Sequence, residues 1–272
     1  MVDAAAFNAF EAAGWETRAA DYDHYWPGLT SRLSDPLLDA VGVGPNTRVL
    51  DIACGPGHMA GRAADRGATA TGVDIAEAMV VLARQRYPGA NFQQADAQSL
   101  PFPNGTFDAV VGNLAIPHLG SPEQAVAEFR RVLTHDGRLA LTTWDLPNRA
   151  RLVGVLLEAV REVGATPPET VPAGPDFFRF ADDAEFQALL AGQGFIDVEI
   201  RSLAFTHPVN SADELWDGLL HGTVRTSAVI HGQPEDVVKR IRAGFDRRLD
   251  GYRTDQTYQL PVSYKLAAGR LS

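Results

Sequence analysis

Val49-Leu50-Asp51-Ile52-Ala53-Cys54-Gly55-Pro56-Gly57-His58-Met59-Ala60 is the segment on which the fold turns. Arg48 to Ile52 reads as a short apolar strand, followed by a glycine-rich turn and a helix through about Asp65. Small residues at 53, 55 and 57 let the backbone turn tightly and approach a ligand that a Cβ would hold off. Gly55 to Ala60 also fits the dinucleotide-binding glycine pattern with Ala in its last place. Asp51, four residues before Gly55, separates the two readings. A carboxylate there sets negative charge beside the loop, which suits a cationic ligand and repels a pyrophosphate. Its competing role is to cap loop amides.

Outward from this segment, strands and helices alternate. Thr69 to Val73 is a second strand ending at Asp74, then a helix spans Ala76 to Arg86. Asn91 to Gln94 and Phe107 to Gly112 are further strands, and Pro122 to Leu133 is a helix with Ser121 as N-cap and Pro122 in its first position. His135-Asp136-Gly137 is a tight turn into the strand Arg138 to Trp144. Such alternation implies βαβ units and a parallel sheet, with ligands along the edge where strands end.

Beyond Trp144 come a helix (Arg149 to Val163), a proline-rich loop around Pro167, Pro168, Pro172 and Pro175, a helix (Asp183 to Gln193) and a strand (Ile196 to Ser202). Tyr258 to Ala268 reads as the last strand, and helical segments near Ala212 to Leu220 and Pro234 to Leu249 read as a cap. The expected organisation is one domain over 1–272: an N-terminal lid (1–40), a ligand-binding core (41–202 and 258–272) and a cap contacting substrate (203–257).

Composition narrows the function classes. Lys and Arg number 24 against 34 Asp and Glu, a net charge of −10, which argues against nucleic-acid and anionic-membrane partners. The single cysteine, Cys54, allows neither an internal disulfide nor a cysteine zinc cage. No stretch has the length to cross a bilayer, the most apolar helical run being Leu152 to Val160. The expectation is a soluble protein of a reducing, cytoplasmic compartment.

More signals fall at successive strand ends. S-adenosylmethionine carries an ammonium and a sulfonium, the charge Asp51 asks for. Asp74, 23 residues after Asp51, can accept both ribose hydroxyls of an adenosine, and Ile75 offers adenine an apolar face. An acid there can equally cap the next helix. Asp96, in Gln94-Ala95-Asp96-Ala97-Gln98-Ser99-Leu100-Pro101-Phe102, can meet an exocyclic amine, and the fourth strand ends at Asn113.

With Gly72-Val73-Asp74-Ile75-Ala76-Glu77-Ala78-Met79, Phe107-Asp108-Ala109-Val110-Val111 and Glu128 to Leu139 added, residues 46–144 resemble class I S-adenosylmethionine-dependent methyltransferases, nearest to the ubiquinone/menaquinone-biosynthesis-like (methyltransferase type 11) group. The resemblance implies an α/β, Rossmann-like seven-stranded sheet with its last strand antiparallel and helices on both faces. It implies that the turn Ala53, Gly55, Pro56, Gly57 packs against the methionine part, with Asp51 near the ammonium. Asp74 would take the ribose, Ile75 and Met79 belong to the adenosine site, Asp96 would take the adenine amine, and Ala97 and Asn113 would offer backbone contacts. Ala53 stands where many relatives have Gly. Asn113-Leu114-Ala115-Ile116-Pro117 lacks the Asn-Pro-Pro-aromatic signature of amino-methylating DNA enzymes, which speaks against duplex DNA as acceptor.

Methyl transfer from a sulfonium is an in-line displacement, so the protein supplies alignment and exclusion of water, and a base only where the acceptor is poorly acidic. His118 is the candidate catalytic residue; its alternative is a packing role. Arg225 is a candidate clamp for an acidic substrate or else an ordinary cap cation. His58 reads as structural, and His207, His221 and His231 have no metal spacing; Asp145, just after the strand ending at Trp144, could hold a metal in principle, but Asn113 stands where a metal-assisted enzyme would supply an acid, so no metal is expected. Trp15, Tyr22, Tyr25 and Trp26 mark a lid helix with Trp15, Tyr22 and Trp26 on one face and Tyr22 reaching the methionyl carboxylate. The expected function is methyl transfer to a small-molecule O-, N- or C-nucleophile. The alternatives are an NAD(P)-dependent oxidoreductase, resting on Gly55 to Ala60, and a non-methylating S-adenosylmethionine-binding protein. Neither acceptor identity nor oligomeric state is readable.

Overall fold

The computed structural model describes residues 3–272. Strands β1 (Arg48–Ile52), β2 (Thr69–Asp74), β3 (Asn91–Gln94), β4 (Phe107–Gly112), β5 (Leu133–Trp144), β6 (Ile196–Val209), β7 (Arg253–Thr254) and β8 (Thr257–Arg270) form one sheet. Its order is β3-β2-β1-β4-β5-β8-β6, with β7 a short hairpin partner of β8. Pairings from β3 to β5 are parallel, and β8 runs antiparallel to both β5 and β6. The long antiparallel last strand agrees with the expected architecture, with the β7 hairpin added as an eighth strand.

The helices are α1 (Ala4–Tyr25), α2 (Pro27–Thr30), α3 (Ser34–Ala40), α4 (His58–Asp65), α5 (Glu77–Arg86), α6 (Pro122–Val132), α7 (Arg151–Glu162), α8 (Asp183–Gly192), α9 (Ala212–His221), α10 (Arg225–His231) and α11 (Glu235–Asp250). Alternate residues of the central strands face opposite sides, as a pleated strand requires. Val49 and Val111 join Leu38, Val80, Leu156 and Phe245 in one apolar cluster. Leu50, Ile52 and Val110 join Phe129 of α6 and Phe186 of α8 in the other. A sheet covered on both faces explains why its parallel strands read as unbroken apolar runs.

Strand order reverses direction at β1, which has β2 on one side and β4 on the other. The crevice of an open α/β sheet lies at such a point, just beyond the strand ends. Here those ends deliver the Ala53–Gly57 turn and the Asn113–His118 loop side by side.

Several local expectations need correction. The turn expected at His135-Asp136-Gly137 is an irregularity inside β5, where the pairing with β4 shifts register between Phe107 and Ala109 and Asp136 takes φ 63°. β6 continues past Ser202 to Val209 because β8 offers a partner along its whole length, so the strand reaches into the segment assigned to the cap. Trp26 is the C-cap of α1, still in the helical region with its N–H donating to Tyr22 O, so it stays on the face of Trp15 and Tyr22 as expected. Pro27 then starts the short turn α2. Ser121 stands at the N-cap of α6 but makes no side-chain cap bond; its N–H donates to Gln98 Oε1 (2.7 Å). Helix α10, seven residues long, carries no side-chain cap and had no sequence signature.

Helix α1 touches both the core and the cap. Towards the core Glu16 Oε2 accepts from the Ala78 N–H (3.1 Å), and Asp23 pairs with Arg86. Towards the cap Arg18 Nη2 donates to Ser227 Oγ (2.9 Å), and Val224 fills the space beside Gly14.

Candidate functional site

The turn after β1 places three residues in the left-handed region within five positions: Ala53 (φ 50°), Gly55 (φ 51°) and Gly57 (φ 86°). The backbone holds itself there through Cys54 N–H to Val73 O (2.9 Å) and Gly57 N–H to Cys54 O (3.0 Å). Gly57 is the N-cap of α4, and a Cβ on it would meet Ala83 Cβ and the Phe92 ring at 2.9 Å. Gly57→Ala is therefore expected to destabilise the fold by about 1–3 kcal/mol, through strained φ and overpacking together. Urea denaturation checks this, and an unchanged midpoint would show that the turn relaxes freely.

Two carboxylates form the floor below the turn. Asp51 is 1% exposed; its Oδ2 accepts from the Ala60 N–H (3.1 Å), and its Oδ1 is buried without a partner. The amide it caps lies in the first turn of α4 and not in the loop, and that bond is half of what this acid does. Burial pushes its pKa well above the carboxylate range, and the charge of Asp74 adds to that. Asp74 is also buried: Oδ2 accepts from the Gly55 N–H (2.9 Å) and Oδ1 from the Ala76 N–H (3.0 Å). Burial raises its pKa too, against the opposing pull of those amides. Both acids would be relieved by a nearby cation.

Around this floor stand residues from four elements. The Tyr22 ring of α1 comes within 3.8 Å of where a Gly55 Cβ would lie, and burial raises its hydroxyl pKa. Ile75 and Met79 continue from β2 into α5 and line the same cavity. After β3, Asp96 Oδ1 accepts from the Gln98 N–H (2.8 Å), which shapes the turn presenting Asp96 and Ala97. Asn113 does not line the cavity. Its Nδ2 donates to Thr30 O (3.0 Å), and its Oδ1 accepts from Thr142 Oγ1 (2.8 Å). That latch presents Leu114, at φ 57°, as the lining residue instead.

His118 ends a 3-10 turn, Ile116–His118, started by Pro117. Its Nδ1 lies 3.0 Å from Glu11 Oε2, an oxygen that also accepts from Trp15 Nε1–H (2.9 Å). Glu11 is 2% exposed and its Oε1 is buried with no partner among the described residues. The Trp15 ring stands edge-on to both His118 (5.3 Å between centroids) and Tyr22 (5.5 Å). Sequence reasoning passed over Glu11. Its signal was an acid between Phe7 and Trp15 at helical spacing, on the face of α1 that Phe7 buries.

All of this borders one cavity of about 410 Å³. Tyr22, Ala53, Gly55, Asp74, Ile75, Met79, Asp96, Ala97 and His118 line it. Asp51, Pro56, Gly57 and Asn113 support it without lining it. Its other half is apolar, with Leu156, Val160, Phe178, Leu219 and Ile230 from α7, α9, α10 and the proline-rich loop.

Residues 50–141 match the methyltransferase domain family. The malonyl-[acyl-carrier protein] O-methyltransferase of Geobacter sulfurreducens is 35% identical over 67% of this chain and 68% of its own length. The chain belongs to the class I S-adenosylmethionine-dependent methyltransferases. The demethylmenaquinone methyltransferase of Renibacterium salmoninarum, 29% identical over 65% of this chain and 78% of its own, places it in the ubiquinone- and menaquinone-like group. The crystal structure of the YcgJ protein from Bacillus subtilis shares the fold with a TM-score of 0.58, at 23% identity, over 88% of this methyltransferase and 98% of that chain.

S-adenosylmethionine is the cofactor, and the donor set fits it: a buried carboxylate oxygen with no partner among the described residues would meet a cationic group, and a second carboxylate stands a strand away. Two other sequence candidates serve the scaffold. His58 Nδ1 bonds the Tyr87 hydroxyl (2.8 Å), and Asp145 Oδ2 accepts from Ser263 Oγ (2.7 Å). Among the described residues no three His, Cys, Asp or Glu side chains converge on a metal position, and no helix is long and apolar enough to cross a membrane.

Proposed function

We propose that this methyltransferase methylates an ionisable hydroxyl on a small, largely apolar molecule, with His118 as general base. The bound cofactor supplies an electrophilic methyl group on a sulfonium. The observation that carries the reading is the Glu11–His118 contact at the cavity wall. With Nδ1–H donated to Glu11, the neutral imidazole carries its acceptor lone pair on Nε2, which has no protein partner among the described residues. Such a histidine can take a hydroxyl proton, and the buried carboxylate behind it stabilises the imidazolium that forms. Apolar walls exclude the water that would compete.

Asp51 and the turn of Ala53, Gly55, Pro56 and Gly57 hold the methionyl end, with Tyr22 closing over it from the lid. Asp74 takes the ribose hydroxyls. Ile75, Met79, Asp96 and Ala97 enclose the adenine, and Asn113 acts through the backbone it anchors. The lid, core and cap keep the bounds given above, with the cap's strand part of the sheet. The single buried cysteine and net charge of −10 support a cytoplasmic setting without nucleic-acid or membrane partners.

Calorimetric titration with S-adenosylhomocysteine tests the ribose assignment. Asp74→Ala is expected to bind about 30-fold or more weakly, since hydrogen bonds to a charged group contribute about 1.5–3 kcal/mol each. Unchanged affinity would remove Asp74 from the site. Tight NADH binding by the wild type would instead support the oxidoreductase reading. Failure to release S-adenosylhomocysteine with any hydroxyl acceptor that binds would favour a non-methylating role.

A further inference from the structure

Arg225, the first residue of α10, lines the apolar half of the cavity and is half-buried. Several half-buried arginines of this chain neutralise carboxylates, whereas Arg18 spends its donors on Ser227 Oγ and the Gly14 carbonyl. Arg151 pairs with Glu158 (2.6 Å), Arg131 with Glu128 (2.7 Å) and Arg248 with Glu162 (2.6 Å). Arg225 has no carboxylate within 4 Å among the described residues. Its Nη2 donates to Pro175 O (3.2 Å) and its Nη1 to Pro117 O at 3.5 Å, the limit of a hydrogen bond. A guanidinium has five N–H donors, so most remain unused. The rings of Phe7 and Phe177 stand 5.3 and 5.4 Å from its central carbon and withhold water from it.

A desolvated cation without a counter-ion is costly, and pairing with an anion repays that cost. Burial lowers the pKa of Arg225, and the negative charges of Glu11 and Asp176 act the other way from beyond contact distance. Glu11 opposes an incoming anion, but its bonded oxygen is turned to His118 and Trp15.

We infer that Arg225 is a specificity-determining residue that binds an anionic oxygen group, a carboxylate or an ionised enol or phenol, on the apolar acceptor. This rests on reading the cavity's apolar half as the acceptor site. The body of the acceptor packs on Leu156, Val160, Phe178 and Ile230, and its charge meets the free edge of the guanidinium. A planar fork of donors favours a carboxylate over a single oxygen.

Matched probes test this in the full chain saturated with S-adenosylhomocysteine: octanoate against octanamide, 1-naphthoate against 1-naphthamide, and 1-naphthol for a single oxygen. Calorimetry is expected to show at least one carboxylate binding tenfold or more tightly than its amide, with the margin shrinking in high salt. Arg225→Gln abolishes that margin and leaves amide and S-adenosylhomocysteine binding within about twofold, while Arg225→Lys keeps part of it. The proposal fails if neither carboxylate outbinds its amide, undetectable binding included, or if the margin survives Arg225→Gln. If Arg225→Gln also loses S-adenosylhomocysteine, Arg225→Lys decides: a retained margin supports the assignment and a lost one overturns it. A naphthol that outbinds both carboxylates assigns the site to ionised hydroxyls. Wild-type protein that does not bind S-adenosylhomocysteine contradicts the cofactor half of the site, a separate failure.

Discussion

Asp51→Asn is expected to weaken S-adenosylmethionine binding 30-fold or more and, in the same protein, to raise the stability of the ligand-free fold at neutral pH. Both effects come from one atom. Asp51 Oδ1 is buried with no partner, so its charge is unfavourable until a cation arrives. Asparagine keeps an oxygen for the Ala60 N–H and removes the charge. Removing one member of a buried charge pair costs binding about 2–5 kcal/mol. For the empty protein the sign is opposite, with a gain of about 1–3 kcal/mol.

The pH dependence separates this from ordinary repacking. Burial raises the Asp51 pKa above its value in the unfolded chain. The folded state therefore holds a proton that the unfolded state loses as pH rises past the ordinary carboxylate range near 4. Stability from the neutral acid is full below that range and is lost as pH climbs to the raised folded value. Aspartates paired with arginine respond oppositely. Asp35, held at about 2 by Arg62 and Arg66, loses its contribution only as pH falls toward that value. Subtracting variant from wild type cancels such groups. The advantage of Asp51→Asn in urea denaturation should be small at pH 4.5 and largest at pH 8. A difference that does not change with pH, together with intact binding, would sink the electrostatic account of this site.

Loss of His118 is expected to produce the largest kinetic effect. His118→Ala should lower kcat with an ionisable hydroxyl acceptor by about 10²–10⁴, the usual range for a general base. Glu11→Gln should cost less, about 10–100-fold in kcat with KM little changed, because Glu11 touches the base and not the reacting atoms. Release of S-adenosylhomocysteine in the presence of a panel of phenolic acceptors measures both variants. If His118→Ala keeps the rate, the base lies elsewhere. If Glu11→Gln changes only thermal stability, its contact with His118 is structural.

These two cases differ in how far the sequence could carry them. Asp51, the turn to Gly57 and Asp74 fall inside one strand–turn–helix–strand stretch, where spacing, glycines and acids at strand ends act over a few residues. The Glu11–His118 contact spans 107 positions and the Arg225–Pro117 contact 108. No local pattern encodes either. Asn113 shows the same divide within one residue: its place at the end of β4 was readable, whereas its side chain's bonds to Thr30 and Thr142 were not.

The sequence by itself determined the parallel core, the glycine-rich turn and the acidic floor, since backbone sterics and strand periodicity act between near neighbours. Only the tertiary structure decided which face of α1 closes on the crevice, that a buried glutamate backs His118, and that Arg225 enters an apolar chamber with no counter-ion among the described residues. Those depend on packing the lid and cap against the sheet, where burial, by removing water, makes distant charges act on one another.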